Sequence, residues 1–287
     1  MSGGGDRVWF PAAGLSRADV LRYYERVADS VVRACQGRAV TLVRYPRGVA
    51  HAGFFQKYQE RAGRRQPIRI EEPADLLRWV GLGAIEFHVP LGQASADAHR
   101  PAEHDWAVMD LDPNPPAGWA HVVNAARVVA TLFRYVGLPM QIKTSGRCGV
   151  HVMVPIEPTR AVEATLAMER LARVAGVLWP EGITVTRRVS DRGPRVYLDY
   201  LQNGAHRTMA AVYGVRAIEP APVSWPTTLT ALPTLDPHAV TVATVLRRRQ
   251  LPAWERGSAI DLGRALDRAG IPPAVDLRRV VQPEPTH

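Results

Sequence analysis

Between residues 106 and 200 the spacing of apolar side chains switches from a period of two to one near 3.6 and back, and the order of the switches restricts the folds open to this chain. Trp106-Ala107-Val108-Met109-Asp110-Leu111-Asp112 reads as a strand ended by Pro113. Trp119, Val122, Val123, Ala126, Val129, Phe133 and Val136 then follow helical spacing, with Gly137 as the stop signal. Strand patterns at Met140–Thr144 and Val150–Val154 flank Ser145-Gly146-Arg147-Cys148-Gly149, for which a tight hairpin is the natural join. After Pro158 a second helix is expected, with Val162, Leu166, Leu171 and Val174 on its apolar stripe, and the last strand is Arg195–Tyr200. The order is β-α-β-β-α-β. In that split, ferredoxin-like α+β arrangement the first and last strands lie side by side.

Upstream, Ser16 with Asp19 three residues on is a capping-box-like start for a helix carrying Val20, Leu21, Tyr24, Val27, Ala28, Val31 and Val32. It opens an N-terminal α/β subdomain, taken as residues 6–90, with a strand at Thr41–Tyr45 stopped by Pro46 and a helix near Pro73–Val80. The catalytic part is taken as 106–216. Residues 214–240 are rich in Pro and expected to wrap the surface, with 217–287 as a C-terminal segment ending in a short helical tail that holds Arg247, Arg248 and Arg249. All 287 residues are read as one domain, and the Gly-rich first five as a loose tail.

Side chains alternate across a strand, so Asp110 and Asp112 share one face while Met109 and Leu111 take the other. Asp199 points opposite to Val196 and Leu198 and can join that face from the neighbouring strand. Carboxylates brought this close are costly unless a cation sits among them, and hard, oxygen-seeking Mg2+ or Mn2+ is the expected occupant. A site of this kind can hold two metals about 4 Å apart, which is the arrangement phosphoryl transfer needs. The plainer alternative is an Asp-x-Asp that caps the turn before Pro113. His88 alternates against Ile85, Phe87 and Val89, and His151 follows small residues that let a phosphate approach the backbone; either His also suits a structural role.

An excess of 36 Lys and Arg over 27 Asp and Glu gives a field that attracts polyanions, although an Arg-rich composition alone accounts for it equally well. Two isolated cysteines, Cys35 and Cys148, exclude a disulfide framework and fit a reducing cytoplasm. No apolar stretch suggests a signal peptide or a membrane span, so a soluble, cytoplasmic protein with no membrane contact is expected.

Several segments, in order, resemble the polymerase module of bacterial ligase D in the archaeo-eukaryotic primase superfamily. They are Arg7-Val8-Trp9-Phe10-Pro11 with Gly14, Arg17 and Tyr23-Tyr24; Arg44-Tyr45-Pro46 with Gly48 and Phe54-Phe55-Gln56-Lys57; Glu86-Phe87-His88-Val89-Pro90; and Asp110-Leu111-Asp112-Pro113. Lys143-Thr144-Ser145-Gly146 with His151, and Leu198-Asp199-Tyr200-Leu201-Gln202-Asn203 followed by Arg216, complete the series. The resemblance implies a primase-type palm with the N-terminal subdomain packed against it. It makes Asp110, Asp112 and Asp199 metal ligands, Ser145, His151 and Arg216 the grip on an incoming triphosphate, and puts His88 and Gln202 nearby. Arg7 and Arg17 stand where the family usually has lysines that bind a 5′-phosphate, Phe54 and Phe55 would stack on template bases, and Lys57 would join that DNA surface; core packing is the alternative for the two Phe residues.

Two departures stand out. Arg147-Cys148 replaces the usual Gly-Lys pair, so Arg147 would have to supply the phosphate charge from one position earlier, and Val212 and Gly214 stand where Pro and Ser are usual. The implied activity is templated nucleotide addition, from NTP or dNTP with a preference for ribonucleotides and manganese, at gapped or overhanging DNA ends bearing a 5′-phosphate in end-joining repair. An end-binding ring protein and a DNA ligase are the implied partners. These residues contain no ligase or nuclease module, and a stand-alone enzyme and an excised domain both fit. The rivals are a primase-polymerase that makes primers at stalled forks and a non-catalytic end-binding or synapsis module.

Overall fold

The computed structural model describes residues 7–94 and 103–273. The Gly-rich start expected to be a loose tail lies outside them. The chain opens with a short antiparallel pair, β1 (Val8–Phe10) and β2 (Leu15–Ser16), which leads into α1 (Arg17–Cys35). Ser16 caps α1 by accepting from the Asp19 amide while the Asp19 carboxylate accepts from the Ser16 amide, so the expected capping box forms. The buried face of α1 includes Val20, Tyr23, Tyr24, Val27 and Val31. Tyr23 donates to the Tyr213 carbonyl at 2.6 Å, and Tyr24 donates to the Ile85 carbonyl at 2.6 Å while accepting from the Val215 amide at 3.1 Å. Two phenols thus tie the first helix to segments far away in sequence.

A four-stranded sheet lies under α1. Its strands are β3 (Thr41–Arg44), β4 (Phe54–Gln56), β7 (Ala84–Pro90) and β13 (Thr208–Ala210), in the order β13-β7-β3-β4. Between β4 and β7 the chain projects a hairpin, β5 (Tyr58–Arg61) and β6 (Arg64–Pro67), and then forms α2 (Pro73–Gly81).

The larger sheet is the palm. It contains β8 (Glu103–Pro113), β9 (Gln141–Thr144), β10 (Val150–Arg160), β11 (Ile183–Thr184), β12 (Val196–Asp199) and β14 (Pro226–Thr227), in the order β11-β12-β8-β10-β9-β14. The inner four, β12-β8-β10-β9, are the split β-α-β-β-α-β arrangement read from the sequence, crossed by α3 (Trp119–Val136) and α4 (Ala161–Leu178).

Each face of this sheet has its own core. Ala107, Met109 and Leu111 of β8 pack with Val150, Val152 and Val154 of β10 against α3 and α4, and α6 (Leu262–Arg268) closes that layer with Leu262, Ala265 and Leu266. On the opposite face Trp106, Val108 and Met153 join the core of the N-terminal subdomain. The carboxylates of β8 share this second face, at the strand's far end.

Two expectations need correction. On α4, Val162 and Leu166 are exposed; the helix buries Ala161, Ala164, Ala167, Met168, Leu171, Ala172 and Ala175 instead, because close approach to the sheet favours alanines over branched side chains. Residues 214–240 follow the surface only in part: Val215, Ala221, Val223, Trp225 and Val240 are buried in the first core, with Val242 and Val245 of α5 (Val242–Leu246) beside them, whereas most of 228–239 is exposed. Pro222 and Pro226 belong to the buried stretch, where β14 adds an edge to the palm, while Pro220 and Pro233 are exposed.

Replacing the α1 cap by Ser16→Ala should lower unfolding free energy by about 1 kcal/mol, read as a lower urea midpoint with an unchanged slope; an unaltered midpoint would show that the box contributes nothing.

Candidate active site

Strand pairing decides which side chains meet. In the antiparallel pair of β8 and β12, Asp110 is opposite Asp199 and Asp112 is opposite Tyr197; in the pair of β8 and β10, Asp110 is opposite His151. Cross-strand partners project to the same face, so Asp110, Asp112, Asp199 and His151 form one polar patch at the end of the palm.

The patch carries strong electrostatic tension. Asp110 is 7% exposed, and its Oδ1 is buried without a hydrogen-bond partner, 3.5 Å from His151 Nε2. Burial, reinforced by the charges of Asp112 and Asp199, holds the Asp110 carboxyl well above the usual Asp range, with Lys143 and Arg216 opposing. Asp112 is raised by burial and by Asp199, with Arg192 opposing. Asp199 is turned toward its own neighbours: Oδ1 accepts from Tyr197 Oη at 3.2 Å and the Leu201 amide at 3.0 Å, and Oδ2 accepts from Gln202 Nε2 at 3.1 Å.

No three His, Cys, Asp or Glu side chains among the described residues are gathered closely enough to hold a metal ion. The donor set nevertheless suits a hard divalent cation. It offers carboxylate oxygens on one face, including an orphaned buried oxygen on Asp110, and Asp199 could be redirected by a side-chain rotation.

The β9–β10 loop forms the adjoining wall. Ser145 Oγ accepts from the amides of Arg147 at 3.2 Å and Gly149 at 3.1 Å. Those two amides therefore staple the loop instead of facing a phosphate, which leaves the Ser145 hydroxyl proton to donate outward. Gly146 has φ +75°, and a Cβ there would sit 2.6 Å from Arg216 Cγ; a Cβ on Gly149 would sit 2.5 Å from the Leu111 carbonyl. Only glycine lets this loop pass between Arg216 and the Asp110-Leu111-Asp112 strand.

Arg216 donates to the Ser145 carbonyl at 3.2 Å and pairs with Glu86 Oε2 at 3.2 Å, and Glu86 Oε2 also lies 2.7 Å from His88 Nε2. Burial alone would raise Glu86, but the His88 hydrogen bond and the Arg216 charge outweigh it and bring the carboxyl down to about 2. Burial lowers Arg216, and repulsion from Arg147 adds to this, so Arg147 does lie within electrostatic reach although its side chain is exposed. Cys148 is also exposed and lines a separate cleft with Pro113, Trp119 and Pro237.

Two contributors escaped sequence reasoning. Lys143 of β9 is buried, with Nζ 2.6 Å from His151 Nδ1, 2.9 Å from Ser224 Oγ and 3.0 Å from the Ala210 carbonyl. Burial lowers its ammonium to about 7, against an upward pull from Asp110. Arg192 stands 3.7 Å from the centre of the Tyr197 ring, beside the carboxylates. Lys143 occupies an inward position on a strand, which gives a signal in principle. Arg192 sits in an irregular segment that offers none.

The remaining residues singled out from the sequence lie elsewhere. Phe54 and Phe55 are 46% and 72% exposed, so core packing is excluded for both. The Arg44 guanidinium covers the Phe54 ring at 5.1 Å, and exposed Lys57 follows at the base of the β5–β6 hairpin. Pairing of β1 with β2 brings residues 7 and 17 together, the Arg17 amide donating to the Arg7 carbonyl at 2.8 Å. Arg7 is exposed and donates to the Pro46 carbonyl at 3.3 Å, whereas Arg17 is half-buried and donates to the Gly81 carbonyl at the end of α2.

A family model described as the LigD primase-polymerase domain matches residues 16–252. The multifunctional non-homologous end joining protein LigD of Pseudomonas aeruginosa is 32% identical over 235 residues, and the bifunctional protein LigD of Bacillus subtilis is 29% identical over 259. These alignments cover 75% and 85% of this chain but only 27% and 41% of the relatives. The polymerase domain of Mycobacterium tuberculosis ligase D, solved in complex with DNA, superposes with a TM-score of 0.74 at 27% identity, covering 94% of each chain. No helix among the described residues is long and apolar enough to cross a membrane.

Because burial and mutual repulsion raise Asp110 in the folded protein, the sign of its contribution is set: stability falls as pH rises from the ordinary Asp range toward the raised value. In chelator-treated protein, Asp110→Asn should therefore gain stability over the parent by an amount that grows from low pH to neutrality, reaching the order of 1 kcal/mol. Urea melts at several pH values check this, and a difference that does not vary with pH would contradict the crowding of charge.

Proposed function

Because the chain belongs to the LigD primase-polymerase domain family, we propose that it is a template-dependent nucleotidyltransferase that extends or fills DNA ends during double-strand-break repair by end joining, with ribonucleotides preferred. The observation that carries this reading is the register that sets Asp110 opposite both Asp199 and His151, with Asp112 on the same face and the Ser145 loop alongside.

Asp110, Asp112 and Asp199 would hold Mn2+ or Mg2+, which supplies the positive charge that makes a primer 3′-hydroxyl nucleophilic and stabilises the departing pyrophosphate. The chain's own groups bind and orient the nucleotide. Ser145 donates its hydroxyl proton to a phosphate oxygen, a role consistent with its oxygen already accepting two amides. Arg216 brings a guanidinium whose direction is fixed by Glu86 and the Ser145 carbonyl, and His88 steadies Glu86 from the other side. Arg147 adds cationic charge at the loop tip where the family has a lysine one position later. Gln202 holds Asp199 by one oxygen and is the neighbour through which that carboxylate is steered.

DNA would be held away from this centre. Phe54 and Phe55 offer exposed aromatic faces for unpaired template bases, and Lys57 and the Arg-bearing β5–β6 hairpin supply charge for the backbone. Arg7 is the better placed of the two candidate 5′-phosphate ligands, since Arg17 is engaged at the end of α2. An end-binding ring protein and a DNA ligase are the partners this role calls for.

Primer extension on a gapped duplex with Mn2+ and each sugar type tests the reading. Asp110→Ala and Asp112→Ala should abolish product with DNA binding largely intact, and extension surviving in either variant would refute it. Product made without any primer would move the protein to the primer-synthesising class, and end binding without incorporation by the parent would leave only a synapsis role. For the DNA grip, Arg7→Ala should reduce the slope of log affinity for a 5′-phosphorylated end against log salt by about one; an unchanged slope removes that contact.

A further inference from the structure

Lys143 sits at the centre of a buried network that the chemistry above does not use. It is the cross-strand partner of His151 on β10 and of Pro226 on β14, and it is 2% exposed. Its three contacts are His151 Nδ1, Ser224 Oγ and the Ala210 carbonyl. The directions of these hydrogen bonds can be worked out from the partners. A carbonyl only accepts. The Ser224 hydroxyl proton is committed to the Thr144 carbonyl at 2.7 Å, so Ser224 Oγ must accept from Lys143 as well.

That leaves the bond to His151, whose sense follows from the number of protons on Lys143. Nε2 faces the orphaned Asp110 Oδ1 at 3.5 Å. If Nδ1 carried the proton, Lys143 would have to be a neutral amine accepting it through its lone pair. If Lys143 is an ammonium, its three protons satisfy all three acceptors, Nδ1 accepts, and Nε2 carries a proton aimed into the site.

We propose that Lys143 is a positioning residue that locks neutral His151 in the Nε2–H tautomer, making the imidazole a fixed hydrogen-bond donor to an anionic oxygen of the bound nucleotide beside Asp110. The inference rests on the polymerase reading only for the identity of that oxygen. The network also gives a reason for the buried course of the Pro-rich segment. Thr144 donates its amide to the Trp225 carbonyl and accepts the Trp225 amide at its hydroxyl, each at 2.9 Å, and these contacts carry Ser224 to the lysine. Outer partners of this kind fix imidazole tautomers at many functional sites.

Long-range 1H–15N NMR of the full chain labelled at histidine, with the His151 signals identified by their loss in His151→Gln, reads the tautomer directly. The parent should show Nε2–H with Nδ1 accepting. Lys143→Met should lose that single tautomer while keeping a cooperative melt and DNA-end affinity, and should raise the KM for nucleotide by about tenfold or more with a smaller change in kcat. Lys143→Arg, which keeps a cationic donor, should recover part of both.

A parent spectrum with Nδ1–H, or a folded Lys143→Met with the parent tautomer and KM, overturns the proposal. Should Lys143→Met fail to fold, the parent spectrum together with Ser224→Ala decides. Ser224→Ala leaves the lysine in place and should keep Nε2–H, and loss of that tautomer in Ser224→Ala would show the serine and not the lysine to be its cause. A parent that incorporates no nucleotide but shows Nε2–H would sink the polymerase reading and leave the hydrogen-bond assignment standing.

Discussion

Buried like charge on neighbouring strands is the constraint around which the molecule is arranged. Asp110 and Asp199 are opposed across a strand pair, and Asp112 lies two residues along on the same face. A protein that folded only for stability would avoid this placement, because burial and neighbouring carboxylates make Asp110 and Asp112 harder to ionise. The surrounding groups compensate. Arg192 opposes the rise of Asp112, Lys143 and Arg216 oppose that of Asp110, and Asp199 is satisfied by Tyr197, Leu201 and Gln202. Opposite this charged end, Ala107, Met109 and Leu111 of the same strand pack under α3 and α4. One strand thus anchors a core on one side and concentrates charge on the other, which a period of two makes possible.

The N-terminal subdomain and the segment after β13 complete the site. Glu86 and His88 come from β7 in the smaller sheet, and they reach Arg216, which also contacts the β9–β10 loop of the palm. The two cores are therefore joined through a polar chain at the site as well as through apolar contact. The tyrosines of α1 hold the carbonyl of residue 213 and the amide of residue 215, a few residues before Arg216, so the helix whose start is capped by Ser16 fixes the backbone that aims this guanidinium. Stability and function share the same hydrogen bonds there.

Much of this was legible in the sequence because local rules and the global fold agree. The capping residues of α1, the glycine stop of α3 and the alternation of β8 each name an element, and the order of elements predicts which strands are adjacent. Where reading failed, a long-range contact had overridden a local cue. The prolines of 214–240 suggest a surface path, which most of 228–239 follows, yet 221–226 lies inside, where Thr144 and Lys143 hydrogen-bond Trp225 and Ser224. The branched residues of α4 suggested its inner face, yet alanines pack there since the helix lies close on the sheet. For the candidate site, spacing puts the three carboxylates on one face, as the strand register does, while the roles proposed for most of the residues around a phosphate rest on family resemblance. Lys143 has no role legible in its motif, since a lysine on a strand does not show whether it turns inward to an imidazole or outward to water.

The central claim is that Asp110, Asp112 and Asp199 converge on shared divalent ions next to a nucleotide. Titration of Mn2+ followed by electron paramagnetic resonance, with a non-hydrolysable nucleoside triphosphate present, tests it most directly. The account predicts binding of about two ions per chain, with loss of at least one in each of Asp110→Asn, Asp112→Asn and Asp199→Asn. Manganese binding that none of the three substitutions weakens would contradict it.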